Sequence, residues 1–316
     1  MEEFMKRCFT VMFGTLLGAI FLTTAAHGHG VIGKRFIPST LTIEDPFPSD
    51  EMDLLRFQRG SKNKEGRESS VGFEFSKRLT PDFALGIGWE YLFVEPREAD
   101  ARRTSGAANP EFSAKYSFLR SVEHEGIFSV GLNVEAGGVG SKRVAERVTT
   151  ISPAFFFGKG WGDLPDSLNF LKPFSITGSF ALNNPANRFI GSGDDKERNT
   201  TILSYGAALI YSIPYLQSAV KDVGLSAPFD RMFPVVEFNF ESPVSGPDKR
   251  HTTAFANPGV IWAGKYVQLG LEAQVPINNF SGKNVGVTGL IHVFIDDIWP
   301  NIFTWTPWGV IGPTSK

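Results

Sequence analysis

The chain of 316 residues contains a single cysteine, Cys8, and only five histidines. One cysteine forms neither an internal disulfide nor a cysteine-based zinc site, so neither frames the fold. The formal net charge is only -2, which excludes a surface basic enough to hold nucleic acid by bulk electrostatics. Long apolar runs are missing beyond the extreme N-terminus, and a multi-span helical membrane protein needs about 20 such residues per helix. Aromatics and glycine, by contrast, are plentiful, with Phe 29 and Gly 33 beside Pro 20. Disordered chains lack the aromatics that build a packed interior, so that class is excluded as well.

The N-terminus reads as an export signal over residues 1–28. Lys6 and Arg7 precede an apolar stretch from Cys8 to Leu22, and small residues up to Gly28 supply the cleavage site. Cleavage after Gly28 fits best, and cleavage after Ala26 fits less well. Cys8 stands before the apolar core rather than after it, so it is no lipid anchor and leaves with the signal. Cleavage after Ala26 would expose His27-Gly28-His29, whose amine, amides and imidazole make a square-planar set for Cu(II) or Ni(II). Otherwise His27 and His29 merely flank the cleavage site. No other metal and no cofactor is expected.

From Ser70 onward the sequence alternates with period two. In Phe83–Phe93 the odd positions are large and apolar, while the even ones are small or charged apart from Leu92. Phe128, Val130, Leu132 and Val134 alternate with Ser129, Gly131, Asn133 and Glu135, and Val267 to Val275 follow the same rule. Such alternation marks strands with one apolar and one polar face. The runs are about 10–13 residues, nearer the 9–11 of a tilted membrane strand than the five or six of soluble sheets. About twelve are read, near 52–58, 68–79, 83–95, 111–120, 126–138, 149–160, 173–183, 201–213, 232–242, 253–263, 266–276 and 283–295. The expected class is all-β, an antiparallel transmembrane β-barrel of about 12 strands with a signal peptide.

The connections test this, because outer-membrane barrels have short periplasmic turns and longer polar outer loops. With the first strand running outward, the three shortest connections (79–82, 121–126 and 263–266) all fall on the periplasmic side. The polar stretches 60–69, 95–110 and 183–200 fall on the other. Connections 161–172 and 214–231 are long for the periplasmic side, and Ser218 to Asp222 reads as a short helical turn. Residues 29–51, Pro-rich and unperiodic, suit a periplasmic lead-in or a plug in the lumen. The barrel proper spans 52–295. The tail 296–316, with Trp299, Phe303, Trp305 and Trp308, suits the periplasmic membrane interface, where tryptophan is enriched.

Three stretches carry a resemblance: His29–Pro38, Phe73–Pro81 and Phe294–Pro300. They resemble proteobacterial outer-membrane barrels of the phenol-degradation (MetA-pathway) transporter type. The resemblance implies an outer-membrane barrel placed by the insertion machinery, with passive uptake that leans towards small hydrophobic or aromatic compounds. Its motifs are structural and carry no chemistry. Barrels of this kind commonly end on an aromatic that the machinery reads, whereas here the tail follows Phe294.

Little in the sequence points to catalysis. A barrel hydrolase needs a Ser–His pair with an orienting group. His124 and His251 read as loop side chains and His292 as a solvated luminal one, in phase with Thr288 and Asp296. There is no Gly-x-Ser-x-Gly elbow. The polar face holds more promise. By alternation it carries Glu74, Glu90, Glu135, Glu237, Glu241, Glu272 and Asp296 against few bases, notably Arg78 and Lys115. Carboxylates in a confined lumen favour cations. Alternatively the acids pair with Arg78, Lys115, Lys34 or Arg35 and close the interior. Twelve strands lie between the filled barrels of eight and the open channels of sixteen. The expected function is therefore a narrow passive channel for a small solute that the sequence does not identify. The alternative is a closed barrel that docks a periplasmic or surface partner. Membrane lipid and the insertion machinery are the other expected partners; nucleic acid is not.

Overall fold

The computed structural model describes residues 30–64, 66–98, 101–190, 197–246 and 251–307. The signal segment with Cys8, the histidines His27 and His29, and Trp308 lie outside these residues. Twelve long strands build the wall: β1 (Glu51–Arg59), β2 (Gly66–Thr80), β3 (Phe83–Pro96), β4 (Glu111–Ser121), β5 (Gly126–Glu135) and β6 (Thr150–Gly160). The second half comprises β7 (Phe174–Pro185), β8 (Ile202–Tyr211), β9 (Met232–Pro243), β10 (Thr253–Ala263), β11 (Val267–Pro276) and β12 (Gly286–Phe294). Each pairs antiparallel with its neighbours in sequence, β12 pairs with β1, and the sheet closes. Closure leaves no long edge of unpaired amides, which a spanning sheet could not tolerate in lipid.

The wall has one patch. Only the turn-end half of β3, Phe83 to Gly88, pairs with β4. Its loop-end half, Tyr91 to Val94, pairs instead with a short strand, Thr104–Ala107, folded back from the β3–β4 loop. That strand lies inside a stretch read from sequence as a polar loop.

The turns after even-numbered strands gather at one end, the end that faces the periplasm in outer-membrane barrels. Two of them are longer, and helical turns at Asp166–Leu171, Ile213–Tyr215 and Leu216–Val220 fold them compactly. The apolar face is outside. Leu85, Ile87, Trp89, Tyr91 and Phe93 of β3 are 39–44% exposed, while Ala84 on the other face is 2% exposed. Rings pair between strands on this outer face at both ends. Phe180, Tyr205 and Phe240 stack towards the loops at 6.3 and 5.0 Å. Trp161, Phe174 and Tyr211 pack towards the turns at 5.7 and 4.8 Å. Aromatic clusters towards both margins of an apolar band suit the headgroup boundaries of a bilayer.

The inner face departs from simple alternation. Ile127, Ala208, Ile210, Phe233, Val235, Ile261 and Leu290 point inward and are all but fully buried. What covers them is the segment before β1. Residues 30–50 enter the lumen as a plug, with Ile32, Ile37, Leu41, Ile43 and Phe47 packed against that inward patch. Each such side chain, fully buried, contributes about 1.5–3 kcal/mol. The interior therefore holds a hydrophobic core, though only against part of the wall.

The plug begins with a tight hairpin, Val31–Ile32 against Arg35–Phe36. Gly33 turns it at φ 63, and a Cβ there would lie 2.6 Å from the Val122 carbonyl oxygen. Arg35 then fastens the foot, fully buried at 0% exposure. Its Nε donates to Glu125 Oε2 at 2.7 Å and Nη1 to the Pro173 carbonyl at 3.1 Å, while Nη2 donates to the Lys172 carbonyl. The guanidinium also lies 3.9 Å from the centre of the Tyr215 ring. One plug side chain thus ties together three turns at this end of the barrel.

Candidate solute path

The plug leans on the inner face formed mainly by β8–β10 and β12, and the opposite wall stays open. Between plug residues Ser39–Asp45 and the inner face of β1–β5 lies a cavity of about 440 Å3. Glu44 and Asp45 reach it from the plug, Glu51 and Asp53 from β1, Glu68 and Glu74 from β2. Glu90, Glu111 and Glu135 complete the acidic lining from β3, β4 and β5. Against these nine carboxylates stand Arg56, Lys115 and His292.

The three basic groups are all engaged, Lys115 with the plug and Arg56 and His292 with the wall. Arg56 pairs with Asp53 and lies 3.8 Å from Glu74. Lys115 Nζ sits 3.0 Å from Glu44 and 3.9 Å from Asp45, and donates to the Asp45 carbonyl at 2.7 Å. His292 Nδ1 lies 2.7 Å from Asp53 Oδ1, and its Nε2 lies 3.4 Å from Glu51 Oε2. Burial pushes the Asp45 carboxyl up to about 6, against the pull of Lys115. Towards the loop end the balance changes. Glu68, Glu90 and Glu111 have no ion-pair partner among the described residues, and Glu135 accepts a neutral hydrogen bond from Asn109 Nδ2 at 2.8 Å. Glu90 and Glu111 feel the Arg56 guanidinium, which is already paired with Asp53, so acid exceeds base in this part of the cavity.

Of the acids read from the polar face, Glu74, Glu90 and Glu135 line this cavity, and so does Lys115. The others lie elsewhere. Glu237, on β9, is fully buried at 0% exposure under the plug tip. It accepts the backbone amides of Leu41, Thr42 and Ile43 at 2.7, 2.9 and 2.8 Å, and the Thr42 hydroxyl. Glu272 of β11 is 2% exposed, and its side chain crosses Gly259 of β10 towards Glu237. A Cβ on Gly259 would come within 2.4 Å of the Glu272 Cγ. Glu241, near the loop end of β9, does not line the cavity. Asp296 is not in the last strand at all but in the helical turn Ile295–Ile298, where it lies 3.8 Å from Arg78. Arg78 in turn lies 3.3 Å from Asp50. These two belong to the turn end, below the cavity.

His292 is a correction. Read as a solvated side chain, it is 1% exposed and clasped between two carboxylates. His124 is exposed and pairs with Asp163 at 3.2 Å, and His251 lies against the Phe280 ring at 4.8 Å. Glu68 and Glu111 also line the cavity, and both continue the inward phase of β2 and β4. Asp53 and Arg56 were hidden by an irregularity in the β1–β2 pairing between them. Glu44 and Asp45, in the unperiodic plug, gave no signal.

No family model matches the chain, and no curated protein does. Among solved structures it is similar to the COG4313 outer membrane channel from Pseudomonas putida F1, at 11% identity and TM-score 0.49, covering 82% of this chain and 99% of that one. It is similar to the KdgM porin at 10% identity and TM-score 0.44, covering 76% and 97% of the two chains. It is also similar to outer membrane phospholipase A from Escherichia coli, at 12% identity and TM-score 0.38, covering 80% and 94%.

Proposed function

We propose that this barrel resides in the outer membrane, exported by segment 1–28, and gives small solutes a narrow passive route biased towards cations. One observation carries the reading: nine carboxylates line the cavity between plug and wall against three basic groups, and Glu68, Glu90 and Glu111 form no ion pair of their own among the described residues. Field lines from such a row focus in a low-dielectric channel and concentrate counter-ions. A solute with a cationic group is therefore favoured over the purely apolar compounds that the phenol-type resemblance implies. Hydrolysis fits less well. Both ring nitrogens of His292 face carboxylates, so neither is free to take a proton from a serine.

The packed turn-end half of the lumen favours the second reading, a closed barrel that serves a partner. Planar-bilayer recording of the refolded protein in a KCl gradient separates the two. A small conductance with a cation-selective reversal potential is expected. No conductance from a barrel whose folded state is shown by heat-modifiable migration would overturn the channel and leave the closed barrel.

A further inference from the structure

The chain does not stop at β12. Ile295–Ile298 and Pro300–Phe303 form two short helical turns, and they lead out of the lumen. At the start of this path Ile295 and Asp296 are 2% and 6% exposed. The first turn packs against β1. At the end of the path, Phe303 meets Phe75 of β2 edge-on at 6.2 Å, and Lys77 Nζ donates to the Phe303 carbonyl at 2.8 Å. Phe75 and Lys77 share their face of β2 with Val71 and Phe73, each 41% exposed. That is the outer, apolar face, because side chains two apart on a strand point the same way. The tail therefore steps from the floor of the lumen, across the foot of β1, onto the outside wall of β2.

There it leaves three large apolar side chains uncovered: Trp299 at 49%, Ile302 at 63% and Trp305 at 66% exposure. They continue the exposed apolar band of the neighbouring wall, formed by Leu54 and Phe57 on β1 and Phe73 on β2. Two indoles at the rim of such a band match the preference of tryptophan for the boundary between headgroups and acyl chains. Neither four-residue turn would hold a helix by itself, so the barrel wall must fix their orientation. The fixing contacts converge on one residue. Asp50, at the plug's exit, is 0% exposed and lies 2.6 Å from Lys77 and 3.3 Å from Arg78.

We infer that residues 295–307 form an interfacial clasp whose partner is bilayer lipid: Trp299, Ile302 and Trp305 lie in the periplasm-facing leaflet and fasten the tail beside the β12–β1 closure. This does not depend on whether the barrel conducts.

Spin-label accessibility in phospholipid vesicles tests it on the full chain, with Cys8→Ser so that the introduced cysteine is the only one. Labels at Ile302→Cys and Trp305→Cys are compared with Phe73→Cys on the apolar wall and Ser226→Cys in an exposed turn. Oxygen accessibility well above that of a water-soluble nickel chelate, as at Phe73→Cys, is the expected result. Nickel accessibility like that of Ser226→Cys would place the tail in water and overturn the clasp. Low accessibility to both reagents would place it against protein and overturn it equally.

Discussion

The amide of Leu41 donates to Glu237 Oε1 at 2.7 Å, across 196 positions of sequence. Thr42 and Ile43 donate to the same carboxylate, so one side chain of the wall holds three successive amides of the plug. A hydrogen bond of this kind contributes about 1 kcal/mol net, and each buried amide left without its acceptor costs about 1–3 kcal/mol. This contact fixes where the plug tip stands, and with it the width of the cavity.

Replacing Glu237 by alanine is therefore expected to destabilise the seated plug tip by on the order of 4 kcal/mol while leaving the barrel closed. Single-channel conductance should rise several-fold, with heat-modifiable migration unchanged. Wild-type conductance from the folded variant would show that the tip does not limit the path.

Neutralising the cavity should act on selectivity instead. The double variant Glu90→Gln, Glu111→Gln removes two of the nine carboxylates that line the cavity and is expected to reduce the K+/Cl- permeability ratio. Glu272→Gln, away from the cavity, should leave that ratio unchanged. Equal effects from the two constructions would mean that the reversal potential does not report on this cavity.

Asp45 gives a pH dependence. Its folded carboxyl lies at about 6 against an ordinary 3.8, raised by burial and by Glu51, and lowered by Lys115. A raised value means that the seated plug binds the proton more tightly than the released plug does. The resulting stabilisation is complete below about pH 4 and is lost as pH rises through 6, a difference on the order of 3 kcal/mol. Conductance is thus expected to increase between pH 4.5 and 7.5, and Asp45→Asn, which keeps the shape, should flatten that profile. A variant as steep as wild type would assign the dependence to another group.

Arg35 carries the foot of the plug. Arg35→Ala leaves the Glu125 carboxylate, 6% exposed, without its cation, and breaking a buried pair in this way costs about 3–5 kcal/mol. The temperature at which folded migration is lost should fall, and trypsin should reach Lys34. Arg35→Lys is expected to recover only part of this, since an ammonium does not span Glu125, two carbonyls and the Tyr215 face as the planar guanidinium does. Full recovery by lysine would reduce the contact to a simple ion pair.

Strand number and the phase of turns and loops were legible because each depends on residues two apart on one strand or on the length of one connection. The expected strand at 83–95 is β3 at Phe83–Pro96, and the turn at 79–82 is the β2–β3 hairpin. The expected helical turn near Ser218 is present, shifted slightly towards the N-terminus. Asp296 marks the limit of periodicity: it continues the phase of Thr288 and His292, but the strand has already ended at Phe294.

Alternation, with the lengths of the connections, thus determined the barrel, its twelve strands, its apolar outside and most of the residues that face inward, though not Asp53 and Arg56 beside the irregularity of β1. It could not tell which inward residues meet water, because that depends on what fills the lumen. Ile210, Phe233, Val235 and Ile261 face inward as Glu237 does, and only the seated plug turns the first four into a core and the last into a latch. Period two reports the direction of a side chain relative to its own sheet. Whether an inward carboxylate serves a solute or holds the plug is decided by contacts between distant segments, which no local periodicity encodes.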